Sequence, residues 1–181
     1  AFLGVRACEL AAIRIQDKVF LEGPYQDPIY RRRREQTVLI AVNCTQAAST
    51  CFCASMETGP RCSAGFDLAL TELAEGFVCE IGTDRGRELL EACETASLQS
   101  HHAAAADAAR QQAVDQQSRH LDTKDLPELL AASRNHPHWH VVGDRCLSCT
   151  NCTMVCPTCF CMSVDEVRDL STGEVNRERK W

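Results

Sequence analysis

The 181-residue chain contains no apolar run approaching the roughly 20 residues that a membrane-spanning helix requires. Nothing from Ala1 to Leu21 has the basic start and apolar core of an export signal. Neither G-x-G-x-x-G nor G-x4-G-K-[ST] occurs, so a nucleotide site has no motif behind it; a flavin can bind without one but has no sequence support. Positive charge is in deficit: 19 Lys and Arg against 25 Asp and Glu leave a formal net charge of −6, which argues against a nucleic-acid partner. These absences lead to the expectation of a soluble, cytoplasmic chain with no membrane partner. What the chain does have is cysteine, 13 residues of it. A reducing compartment keeps idle disulfides open, so thiols in such numbers are expected to serve as metal ligands. The 45% hydrophobic content suffices for one modest core and a small satellite module.

Residues 146–157 read Cys-Leu-Ser-Cys-Thr-Asn-Cys-Thr-Met-Val-Cys-Pro, the C-x2-C-x2-C-x3-C-P run that holds a cubane cluster in bacterial-type ferredoxins. Cys146, Cys149 and Cys152 on one tight loop suit three corners of a single [4Fe-4S] cluster. Cys156, followed by a proline that turns the chain away, is directed toward a different cluster or partner. A structural zinc site ordinarily sets two C-x2-C knuckles well apart, and a disulfide framework suits a small secreted chain, so both readings rank below a cluster. The expected chemistry is single-electron transfer, which requires no catalytic acid, base or nucleophile. The chain starts without methionine, and no cysteine follows Cys161 to complete a two-cluster pattern. It therefore reads as a fragment with its partner motif missing.

The pattern of residues predicts an α/β fold: a small, open, mostly parallel sheet with flanking helices, then a helical linker and an incomplete ferredoxin-like iron–sulfur module. The expected divisions are 1–97, 98–122 and 123–181. Phe2 to Val5 reads as a strand, and Leu10, Ala11, Ile13, Ile15, Val19 and Phe20 trace an amphipathic helix. Asp27-Pro28 opens a short helix through Arg34, and Thr37 to Val42 is apolar without alternation, as a buried parallel strand would be. Gly65 to Leu73 and Phe77 to Ile81 read as further strands, a hairpin if joined at Ala74-Glu75-Gly76, and Thr83 caps a helix to about Glu94. His101 to Arg119 is rich in Ala and Gln with no apolar stripe, a surface helix or linker expected to carry no chemistry. Asp125-Leu126-Pro127-Glu128 has the cap, early proline and acid of another helix start.

A second group of cysteines is less obvious. If the first two strands are parallel neighbours, Cys8 and Cys44 lie at the same carboxyl edge, where open α/β sheets build their sites, and Cys51 and Cys53 follow in the next loop. Thr50-Cys51-Phe52-Cys53 echoes Thr158-Cys159-Phe160-Cys161 almost to the letter. Cys8, Cys44, Cys51 and Cys53 form a candidate second site; the competing reading is that buried cysteine is a small hydrophobe, and it carries rather more weight. Cys62, Cys79 and Cys93 read as packing residues. Arg31 to Arg34 is a charge run of the kind that usually faces solvent, or else docks an acidic partner subunit. His136, His138 and His140 lie just upstream of the cysteine loop, where imidazoles either ligate metal and bond cluster sulfurs or, more often, cap and solvate.

Taken together, Gly4 to Leu10, the Val42-Asn43-Cys44 and Cys51-Phe52-Cys53 region with Gly59-Pro60, and Arg145 through Cys161 resemble the iron–sulfur β subunit of cytoplasmic sulfhydrogenases (hydrogenase/sulfur reductase). Anaerobic sulfite reductase A subunits look similar. The resemblance implies a longer chain with a further cysteine run. It also implies that Cys146, Cys149 and Cys152 hold one cluster whose last ligand lies beyond this stretch, while Cys156 serves the other. Within these residues Cys156, Cys159 and Cys161 are the thiols left to complete the set, for one or two [4Fe-4S] clusters. The implied job is an electron relay between a flavin-containing reductase subunit and a hydrogenase or reductase catalytic subunit. Two readings compete: a stand-alone flavin- or cluster-dependent reductase, and a zinc-braced interaction module.

Overall fold

A computed structural model describes residues 1–159 and 163–180. The chain forms two compact units, Ala1–Asn135 and His136–Trp181. The first holds β1 (Phe2–Arg6), α1 (Ala7–Leu21), α2 (Pro28–Gln36), β2 (Leu39–Val42), β3 (Leu68–Leu73), β4 (Gly76–Ile81), α3 (Asp84–Glu91), α4 (Ser100–Asp115) and α5 (Leu126–Ala132). Its sheet runs β1-β2-β3-β4, with β1, β2 and β3 parallel and β4 returning antiparallel from β3. This is the open, mostly parallel α/β layer expected from the sequence.

Local chemistry explains the boundaries. The Arg6 backbone N–H donates to Glu9 Oε2 at 2.8 Å, which caps α1 where β1 ends. The Asp27 carboxylate accepts the N–H groups of Ile29 and Tyr30, both at 2.9 Å, and Pro28 needs no partner at the first helical position. Helices α1 and α2 form the long crossover that two parallel strands require. Strand β2 is apolar throughout because it is central. Leu39 and Ala41 are fully buried and pack with Ala69 of β3, Ala7 and Leu10 of α1, and Cys62.

Asp67 ties the start of the sheet together. Its carboxylate accepts the Leu39 N–H at 2.8 Å and the Thr83 hydroxyl at 2.5 Å, while its carbonyl accepts the Gly82 N–H at 2.9 Å. One side chain thus joins β2 and β3 to the cap of α3. Helix α3 approaches so closely that a Cβ on Gly86 would lie 1.9 Å from the Asp67 carbonyl oxygen.

The structure departs from expectation in three places. Helix α4, in the stretch expected to be a linker without chemistry, packs on β3 and β4 and belongs to the first unit, which extends to Asn135 rather than ending near 97. Its small side chains make this possible: Ala106 and Ala113 are buried, and Arg110 reaches Glu80 Oε1 at 3.3 Å and Thr71 Oγ1 at 3.2 Å. Alanine gives too weak an apolar stripe to reveal a buried face. Asp125 takes φ 52° and makes no side-chain cap, so α5 starts without the expected box. Cys93 lies beyond the end of α3 and is exposed, as is Cys79 on β4; neither packs in a core.

The second unit contains α6 (His138–Asp144), α7 (Asn151–Val155), β5 (Ser163–Arg168) and β6 (Val175–Lys180). The last two pair antiparallel, from Ser163 opposite Lys180 to Arg168 opposite Val175. Their turn is made by Asp169, whose carboxylate accepts the Ser171 N–H at 2.8 Å, and by Gly173 at φ 75°. Among the described residues no helix is long and apolar enough to cross a membrane.

Two substitutions test this frame. Asp67→Ala strands the buried Leu39 N–H and should lower unfolding free energy by about 1–3 kcal/mol. Gly86→Ala forces α3 off the Asp67 carbonyl and should cost about 1–3 kcal/mol through overpacking. Urea unfolding followed by circular dichroism measures both.

Candidate metal centre

In the second unit, the chain leaves α6 with the Cys146 N–H on the Gly143 carbonyl at 3.0 Å. Ser148 and Thr150 then adopt left-handed conformations, φ 51° and 60°, and these two non-glycine reversals curl residues 146–150 into a tight loop. The Ser148 N–H donates to Cys146 Sγ at 3.4 Å, the type of backbone-to-sulfur bond that stabilises a metal-bound thiolate. Thr150 precedes α7, which carries Cys152, and Cys156 follows its last turn. Cys146, Cys149 and Cys152 are exposed, and Cys156 and Cys159 are half-buried. The Thr158 hydroxyl, 3.0 Å from Cys156 Sγ, holds that thiol below its usual value and so favours the ligating thiolate. Cys161 lies outside the described residues. A donor set made only of thiols, accessible and with a backbone N–H aimed at one sulfur, fits an iron–sulfur cluster.

His136, His138 and His140 are exposed, and the His138 N–H donates to His136 Nδ1 at 3.2 Å, a local contact. In the first unit Arg31, Arg32 and Arg33 are likewise exposed, whereas Arg34 bonds the Asp17 carboxylate at 3.2 Å.

The second group of thiols gathers in the first unit. Register pairs Arg6 with Val42, so β1 and β2 end side by side, and Cys8 and Cys44 emerge at the same edge of the sheet. Cys8 is exposed, in the first turn of α1; Cys44, Cys51 and Cys53 are half-buried. An added Cβ on Gly59 would stand 3.1 Å from Cys53 Sγ and 3.2 Å from Ala7 Cβ, so this glycine lets the Cys53 loop close on the start of α1. The sulfurs sense one another. Burial pushes the Cys44 thiol up, and Cys8, Cys53 and Cys51 push it further while the Arg6 guanidinium pulls it down. Burial also pushes Cys8 up, again opposed by Arg6. Among the described residues no three thiol, imidazole or carboxylate groups stand close enough to share a single metal ion.

The roles of the supporting residues were not legible in the sequence. Asn43 is buried, with its Oδ1 accepting the Cys62 N–H at 2.7 Å and its Nδ2 donating to Thr71 Oγ1 at 2.9 Å, which anchors the chain just before Cys44. The end of α4 clasps the cysteine loop. Gln116 accepts the Ala47 N–H at 2.9 Å, Gln117 accepts the Ala54 N–H at 3.0 Å, and Arg119 donates to the Ser49 carbonyl at 3.1 Å. The Gln117 Nε2 also donates to Cys53 Sγ at 3.3 Å. A Gln-Gln pair after an alanine-rich helix matches no motif, and only the tertiary fold gives it a target.

Cys62 is a core residue, buried beside Ala41 and Ala69, and burial pushes its thiol up to about 12. A raised thiol favours the neutral form in the fold, so its contribution is complete below the unfolded value of about 8.5 and is lost as pH climbs toward about 12. The metal-free chain should therefore lose stability above pH about 8.5, and Cys62→Ala should make that loss shallower in urea titrations across pH.

Comparison with known proteins agrees with these features. Residues 145–181 match the family described as 4Fe-4S dicluster domain. The chain is 30% identical over 163 residues to the sulfhydrogenase 2 subunit beta of Pyrococcus furiosus, an alignment covering 89% of this chain and 48% of that protein. The chain thus spans about half the length of the curated relative it matches. No solved structure matches it. Cluster domain and relative together support an iron–sulfur protein that transfers electrons, with its dicluster domain at the carboxy-terminal end of this chain.

Proposed function

We propose that the chain is an electron-relay subunit of a multisubunit oxidoreductase of the sulfhydrogenase, hydrogenase or sulfite reductase type. Its partners on this reading are a flavin-containing reductase subunit and a hydrogenase or reductase catalytic subunit, in a reducing cytoplasm. The observation that carries the reading is the all-thiol loop Cys146–Cys156 inside the stretch that matches a 4Fe-4S dicluster domain. A cubane held there takes up and gives back one electron at a time.

The chain's own residues contribute positioning and access. Cys146, Cys149 and Cys152 supply thiolates, the Ser148 N–H neutralises part of the charge on Cys146, and Thr158 does the same for Cys156. Leu147 and Met154, 89% and 81% exposed, flank the thiols with apolar surface suited to a docked partner rather than to a small substrate. No proton-transfer group is needed at such a site, and turnover belongs to the complex.

The test is the chain purified anaerobically. About four iron and four acid-labile sulfide per cluster, with visible absorption bleached by dithionite, are expected, and Cys149→Ser should lower the iron by about four. Zinc without sulfide would sink the electron-transfer reading. Association with a flavin-containing subunit, checked by co-elution, tests the partner assignment separately.

A further inference from the structure

We infer that the carboxyl edge of the first unit's sheet is a second, independent iron–sulfur cluster site, with Cys8, Cys44, Cys51 and Cys53 as its ligands and Gln117 as a hydrogen-bond donor to the Cys53 sulfur. This inference does not rest on the 146–156 loop, because the two thiol sets lie in different units.

Four observations carry it. First, the thiols come from three segments that the fold has to bring together: the start of α1, the end of β2 and the loop after it. The β1/β2 register and the Gly59 approach do so. Cysteines that merely fill space in an apolar core would be buried as Cys62 is, whereas Cys8 is exposed and the other three are half-buried. Second, Gln117 is only 3% exposed, and its side-chain amide nitrogen donates to Cys53 Sγ at 3.3 Å as well as to the Ala113 carbonyl at 3.4 Å. A buried N–H on a sulfur stabilises the charge that a metal-bound thiolate carries. Third, Arg6, although paired with Glu9 at 2.7 Å, places positive charge near Cys8 and Cys44, which offsets part of the repulsion of converging thiolates. Fourth, the donor set is entirely sulfur, which selects soft metals and clusters over magnesium or calcium.

A cluster and a single zinc ion are the two soft-metal occupants that four thiols admit, and the cluster is the one proposed. Zinc draws four sulfurs to about 2.3 Å from a single centre. A cubane sets its four iron atoms at separate corners, so its thiolates stand further apart. Each thiol gives up its proton as it binds iron, and iron and inorganic sulfide come from the cell's cluster-supply chemistry.

The experiment uses the whole chain, reconstituted anaerobically with ferrous iron and sulfide. In a Cys146→Ser/Cys149→Ser/Cys152→Ser variant, about four iron and four sulfide per chain should remain, and adding Cys44→Ser and Cys53→Ser should remove them. Gln117→Leu should keep the iron but lower the midpoint potential of this cluster, since an N–H on sulfur stabilises the reduced, more negative state. If variants fail to fold, wild type decides. In the loaded chain Cys8 and Cys51 should resist iodoacetamide until iron is removed, while the exposed Cys93 reacts throughout. The inference is overturned if the triple variant holds no iron, if it holds zinc without sulfide, or if Cys8 alkylates freely in the loaded chain. Loss of iron in wild type on Cys149→Ser alone speaks to the loop and leaves this site standing.

Discussion

The Asn43 side chain is the interaction on which the amino-terminal architecture depends. A buried amide has to satisfy its donors and acceptor internally, and Asn43 does so with the Cys62 N–H, the Thr71 hydroxyl and the Glu80 carboxylate. Those partners lie on the loop after β2, on β3 and on β4. Glu80 and Thr71 in turn receive Arg110 from α4, so one network sets where the chain turns out of β2 and where α4 lies. Cys44 leaves the sheet directly after Asn43, and the end of α4 reaches back to the loop bearing Cys51 and Cys53. The position of the thiols follows from the satisfaction of polar groups beneath them.

Electrostatics makes the two thiol groups different in kind. At Cys156, exposed hydroxyl and backbone donors favour the thiolate before any metal arrives. At Cys44 and Cys8, partial burial favours the neutral thiol, and Arg6 works in the other direction. A metal bound at Cys8 and Cys44 would have to overcome that desolvation before their thiolates form, whereas at Cys156 the Thr158 hydroxyl already outweighs it.

The parallel strands were legible because β2 is apolar at every position, as a strand covered on both faces has to be. The shared edge of Cys8 and Cys44 followed from that alone, and Asp27-Pro28 announced α2 through its capping chemistry. Helix α4 stayed hidden because its buried face is alanine, which hydropathy does not separate from a solvated surface. The hairpin β5/β6 was missed because its strands are charged, Asp165, Glu166 and Arg177 among them, with no apolar alternation to read. The cysteine run at 146–156 spoke through spacing, whereas Gln117 and Asn43 acquire roles only from distant partners.

The separation of ligands along the chain has a consequence for assembly. Cys146, Cys149, Cys152 and Cys156 lie within eleven consecutive residues, so a metal bound there would close only a short stretch of chain and cost little chain entropy. Cys8, Cys44, Cys51 and Cys53 lie on segments placed by the β1/β2 pairing and by the docked α4. The edge of the sheet is therefore complete only in the folded first unit, and an occupied edge would report that this unit had reached its native topology.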